Sequence, residues 1–187
     1  TLPERELLSG LAEMVKYGFI ADDALLKVDD RNYEQYILRA GEIKREIVEE
    51  DFKEHGYRKV LNFGHTIGLA IESYPLTTST PLTHGEAVAV GMWCALWLSI
   101  DQCGLDEEVL DDYCPKMRLL LSEAEWDFST KDIDAIMAYL NHDKKNVDGK
   151  HGFVLLKDVE KPLYDQFVPD ELVRQSLNEL MDYLSDL

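Results

Sequence analysis

The run Ala87–Ile100, AVAVGMWCALWLSI, constrains the fold of this 187-residue chain more than any other stretch. It is the longest apolar run, and it falls short of the ~20 residues that a helix needs to cross a bilayer. It therefore reads as a helix buried in a protein core, from Gly85 to about Gln102. The rest of the chain has to pack around it. Hydrophobic residues make up 45% of the sequence and aromatics 10%, enough to build that core. The length suits one domain, at the rough prior of ~150 residues each.

Helical periodicity dominates elsewhere. Pro3 to about Ile20 reads as an amphipathic helix with Leu7, Leu8, Leu11, Met14 and Val15 on its apolar side. Asp22 or Asp23 caps a short helix through Leu26. Asn32 to about Glu54 reads as one long charged helix, which Gly56 breaks. Arg58 to Ser73 reads as a second apolar helix, and Pro75 to Pro81 as a loop. Further helices are expected near 106–122, 130–140 and 169–185. The sole strand signal is Phe153–Leu156 after the turn-rich NVDGKHG, compatible with a short hairpin. The expected fold is mainly α, a helical bundle with at most one short β element. No G-x-G-x-x-G fingerprint occurs, so nothing here reads as a dinucleotide loop. The chain opens without methionine, already in a helix-initiating pattern, and reads as a piece of a longer protein.

Lys and Arg number 19 against 37 Asp and Glu, a net charge of −18. That balance argues against nucleic acid and anionic membranes as partners. The three cysteines, Cys94, Cys103 and Cys114, have spacings that fit neither a disulfide framework nor a zinc ribbon. A reducing compartment is the simpler reading.

The segment LNFGHTIGLAI, residues 61 to 71, carries Asn62, His65 and two glycines inside an apolar pattern. On a helix, Arg58, Asn62 and His65 fall at i, i+4 and i+7 and share one face. Polar groups on an apolar helix are costly unless paired. Gly64 and Gly68 leave the surface beside His65 bare, for a ligand or for another helix. A second Gly–His junction, LTHGEAVAVGM, puts His84 at the start of the core helix. Either histidine alone is more often structural. Together they are candidate metal ligands, since neutral imidazole is the commonest protein ligand. Glu13 interrupts the first apolar helix, with Lys16 one turn on. It is either half of an ordinary ion pair or a third ligand, completing the open carboxylate–imidazole set of Lewis-acid zinc enzymes. Lys44, Lys144 and Lys145 are further local positive points in an acidic chain. Any of them is suited to a phosphate or carboxylate, which Arg58 can also grip bidentately.

LPERELLSGLAEMVKYG, EEDFKEHGYRKVLNFGHTIGLAIES, LTHGEAVAVGM and HDKKNVDGKHGFVLL resemble, in that order, the C-terminal half of the 3-dehydroquinate synthase family, from Leu2 to about Leu156. The resemblance implies a helical domain, residues 1–187, that follows a separate N-terminal NAD-binding domain. It implies Glu13, His65 and His84 as zinc ligands, with Co2+ as a substitute metal. Lys16, Lys44, Arg58, Asn62 and the Lys144/Lys145 pair become substrate contacts, with the choice between those two lysines open. The implied reaction converts 3-deoxy-D-arabino-heptulosonate 7-phosphate to 3-dehydroquinate and phosphate, with NAD transiently oxidising a ring hydroxyl. A cytoplasmic homodimer is implied as well. One position departs from the family pattern: Leu69 stands where G-H-T-x-G-H-A has its second histidine. The departure bears on rate or on the exact substrate. Another NAD- and zinc-dependent sugar phosphate cyclase is the near alternative. A polyol dehydrogenase or a helical interaction domain without chemistry is the distant one.

Overall fold

The computed structural model describes residues 2–74, 81–125, 128–141 and 150–185. Its helices are α1 (Glu4–Ile20), α2 (Ile37–Glu50), α3 (His65–Ser73), α4 (His84–Cys103), α5 (Glu107–Leu120), α6 (Ile133–Asn141) and α7 (Asp170–Ser185). Short 3-10 turns cover Asp23–Lys27, Tyr33–Tyr36, Tyr57–Asn62 and Thr130–Asp132. Strands β1 (Lys150–Asp158) and β2 (Lys161–Pro169) form one antiparallel hairpin. The mainly α expectation holds.

Helix α4 is the axis of the fold. It packs against α1, α3, α5, α7 and β1, and almost every residue from Gly85 to Ser99 is buried. Its start is fixed twice. Thr83 and Glu86 form a reciprocal capping box, which satisfies amides the first turn leaves open. Glu86 also takes two hydrogen bonds from Arg5, at 2.6 and 2.7 Å, which ties the start of α1 to the start of α4. Gly104, at φ +70, ends the helix in the left-handed conformation that favours glycine.

The glycines decide how closely the other helices approach. A Cβ on Gly85 would run into the backbone of Ser9 in α1, and one on Gly91 into the carbonyl of Gly64. A Cβ on Gly68 would sit 2.9 Å from the carbonyl oxygen of Ala87. The bare surface beside His65 is thus filled by α4, not by a ligand. Helix-on-helix packing is the reading that holds.

Three expected elements change. The long helix from Asn32 is shorter at both ends, because a 3-10 turn covers Tyr33–Tyr36 and α2 runs only from Ile37 to Glu50. Asp51 then accepts hydrogen bonds from the amides of His55, Gly56 and Arg58 and turns the chain. Arg58–Ser73 is not one helix. Phe63 turns extended at ψ 127 and Gly64 takes φ +76, so a 3-10 turn precedes α3. The strand at Phe153–Leu156 extends to Lys150–Asp158 and gains a partner in β2. Most of Pro75–Pro81, and both Lys144 and Lys145, lie outside the described residues.

Candidate metal and substrate site

Glu13 projects from the middle of α1, His65 is the first residue of α3, and His84 is the first residue of α4. The close helix crossings bring one ligand atom of each to within 4.8 Å of the others. Glu13 Oε1 lies 3.6 Å from His65 Nε2 and 3.7 Å from His84 Nε2. The two rings meet edge to face, with centroids 5.3 Å apart.

The far edges of both rings are occupied. His65 Nδ1 lies 3.1 Å from the carbonyl oxygen of Phe63, and His84 Nδ1 lies 2.9 Å from Glu72 Oε2. A carbonyl or a carboxylate only accepts, so each Nδ1 carries the proton. In the neutral ring, each Nε2 then presents a lone pair toward Glu13. Glu13 Oε1 is buried and has no hydrogen-bond partner among the described residues. Two lone pairs and an orphaned carboxylate oxygen facing one another repel unless a cation lies among them. The 3.6 and 3.7 Å separations are close to the ~3.3–3.6 Å edge that metal–ligand bonds of ~2.0–2.2 Å give in a tetrahedron. The residues therefore fit a small divalent metal.

The electrostatics agree. Burial, then the nearby Lys16 charge, lower the His65 pKa to about 4, so the ring is neutral at pH 7. Burial pushes the Glu13 carboxyl up, but the Lys16 charge and then its hydrogen bond lead the effects that outweigh it. The net shift is downward. Lys16, 3% exposed, donates to Glu13 Oε2 at 2.7 Å. Burial lowers its pKa despite that partner. Burial and the Glu13 charge raise the Tyr17 phenol to about 12.

Glu13, His65 and His84 share one cavity of about 300 Å³ with Lys16, Lys44, Arg58 and Asn62. The break at Phe63–Gly64 does not scatter the Arg58–Asn62–His65 stripe, because the 3-10 turn also faces this cavity. A larger cavity of about 630 Å³ adjoins it, sharing Glu54 and Asn62 and bounded by the hairpin. The convergent donors belong to the smaller one.

Glu54, Tyr17 and Leu61 complete the lining, and sequence reading had passed over all three. Glu54 accepts from Asn62 Nδ2 at 3.2 Å and sits at φ 57, a strained backbone for a side-chain-bearing residue. The Asp51 turn holds it there. Glu72 was also passed over, although it lies two helical turns beyond His65 on the same face. Leu69 falls between them on that face, 44% exposed and outside the cavity lining.

A mainly helical domain in which a carboxylate and two imidazoles converge beside a cation-lined cavity belongs to the class of candidate metal-binding domains. The chain belongs to the 3-dehydroquinate synthase C-terminal family, whose model matches residues 10–146. It is 38% identical to the 3-dehydroquinate synthase of Parabacteroides distasonis, over 95% of this chain and 52% of that protein. It is 35% identical to that of Clostridium tetani, over 96% of this chain and 49% of that protein. The chain thus spans about half the length of the relatives it matches. Among solved structures, 2-deoxy-scyllo-inosose synthase complexed with carbaglucose-6-phosphate, NAD+ and Co2+ matches with a TM-score of 0.77 at 25% identity. That match covers 95% of this chain and 53% of that one. The fold is also that of 2-epi-5-epi-valiolone synthase from Streptomyces hygroscopicus with NAD+ and Zn2+ bound, at TM-score 0.77 and 23% identity. There the coverage is 97% of this chain and 53% of that one.

Proposed function

We propose that this chain is the metal- and substrate-binding half of a 3-dehydroquinate synthase, with a nicotinamide-binding domain supplied by the preceding part of the protein. The whole enzyme converts 3-deoxy-D-arabino-heptulosonate 7-phosphate to 3-dehydroquinate and phosphate. The observation that carries the reading is the convergence of His65 Nε2 and His84 Nε2 on the orphaned Glu13 Oε1. When bound, zinc supplies Lewis acidity to substrate hydroxyls and NAD supplies the hydride exchange.

The chain's own residues do the rest. Glu13, His65 and His84 hold the cation. Lys16 fixes the second oxygen of Glu13, which leaves the first one directed at the metal. Arg58 and Lys44 offer positive charge to the substrate's carboxylate and phosphate, and Asn62, held by Glu54, orients its hydroxyls. One of the pair Lys144 and Lys145 joins the same set of contacts by motif match, the choice between them staying open. Co2+ substitutes for zinc in this reading, and the assembly is a cytoplasmic homodimer. Neither nucleic acid nor membrane is a partner, in keeping with a net charge of −18. No helix among the described residues is long and apolar enough to cross a membrane.

The test uses the full-length protein. Phosphate release from the heptulosonate phosphate is measured with NAD and zinc, and again after EDTA. Release that needs both cofactors is expected. No release from folded, zinc-loaded protein would overturn the substrate assignment. It would favour a second reading that Leu69 supports, a cyclase acting on another sugar phosphate.

A further inference from the structure

We propose that Glu72 is a positioning residue for the metal site: its carboxylate fixes the tautomer and the ring plane of His84, so that Nε2 faces the cation. The inference rests on the metal reading of Glu13, His65 and His84.

The two imidazoles are held differently. His65 is 15% exposed, so packing restrains its ring, and its outer nitrogen meets a backbone carbonyl. His84 is 43% exposed and opens helix α4, where packing restrains the side chain far less. What the structure gives it instead is Glu72, whose Oε2 lies 2.9 Å from Nδ1. The contact joins α3 to α4 across a sequence gap of 12 residues, so it depends on the same helix crossing that assembles the site. Glu72 cannot ligate the same cation, because it sits beyond Nδ1 and the cation site lies beyond Nε2, on the opposite edge of the ring. Its work is indirect. An accepted Nδ1–H excludes the tautomer that would put a proton on Nε2, and the adjacent negative charge makes the imidazole a stronger donor.

The test uses full-length protein stripped of metal and titrated with Co2+. Binding is followed by the visible cobalt absorption, and Zn2+ affinity by competition with a chromogenic chelator. Glu72→Ala is expected to weaken affinity for both metals 10- to 100-fold and to change the cobalt spectrum, because His84 is no longer held in one geometry. Glu72→Gln keeps an acceptor at that point and is expected to stay within several-fold of the parent. The melting temperature of the metal-free protein should be unchanged in both variants, since Glu72 is 34% exposed. That separates positioning from general destabilisation. If Glu72→Ala binds Co2+ with the parent's affinity and spectrum while His84→Ala loses it, the positioning role is overturned and the metal site stands. If the parent binds no Co2+, or His84→Ala binds it fully, the metal reading fails and this inference fails with it.

Discussion

His65 at the start of α3, half-buried, and His151 on β1, fully buried, are both imidazoles with a carboxylate close by. His151, 1% exposed, has Nε2 at 2.9 Å from Oδ1 of Asp170, the first residue of α7. His65 Nε2 stays 3.6 Å from Glu13 Oε1, and His84 approaches the same oxygen to 3.7 Å. The His151 contact brings the hairpin and α7 together at ion-pair distance and suits structure. The Glu13 cluster holds its three groups just too far apart to bond one another, with their lone pairs facing inward, and suits a cation. The same two residue types suit packing or, in the proposed reading, cation binding according to under one ångström of separation and to which edge of the ring is already occupied.

The comparison breaks most readily at the metal. His65→Ala in the full-length protein should lower metal affinity at least ~100-fold, whereas His151→Ala should leave it unchanged. Metal content after dialysis, measured on both, decides. Full retention by the His65 variant would reduce the two histidines to the same structural kind.

Acid sensitivity is the next largest effect. The His65 pKa is about 4 in the fold, held down by burial and then by Lys16, and ~6.5 in an unfolded chain. Between those values the unfolded chain binds the proton and the folded one does not. Stability of the metal-free protein therefore rises with pH across that window. It is complete above ~6.5 and lost as pH falls toward ~4. The ceiling on this contribution is about 3 kcal/mol. Urea midpoints at pH 7 and pH 4.5 should fall less for His65→Gln than for the parent. Equal losses would show that His65 is not held neutral by its site.

His151→Ala is expected to cost about 2 kcal/mol in urea unfolding, from the lost packing of a buried ring. A cost near zero would mean that the His151–Asp170 contact does not hold the hairpin to α7.

What the sequence made legible follows the strength of local patterning. Helix α1 was plain because its apolar residues recur at helical spacing, and α4 because its apolar run is unbroken from Ala87 to Leu98. Glu13 was plain because it interrupts one of them. The break before α3 was hidden, since φ +76 at Gly64 is imposed by the contact with Gly91 on another helix. Strand β2 was hidden because most of its residues are exposed and proline sits near both ends, so no two-residue alternation survives. Glu54 and Glu72 were hidden among 37 acidic residues. Their roles come from the Asp51 turn and from the α3–α4 crossing, neither of which has a local signature. The residues of the candidate site were mostly nameable in advance, and their supports were not.

Leu69 gives the smallest and most pointed test. It stands four residues after His65 and three before Glu72, on the face that carries both, and it is 44% exposed. An exposed leucine on that face contributes little to the core, so Leu69→His should change stability by less than ~0.5 kcal/mol. A histidine there adds a hydrogen-bonding and proton-exchanging group one turn from the first imidazole ligand, in the place where the family pattern has one. Turnover of the heptulosonate phosphate by full-length protein should rise a few-fold, with KM little changed, because the added group acts on the reacting substrate more than on its binding. A raised KM with unchanged turnover would show that leucine shapes the substrate pocket. Unchanged values of both would place residue 69 outside the reacting region and confine the chemistry to the walls that already converge on Glu13.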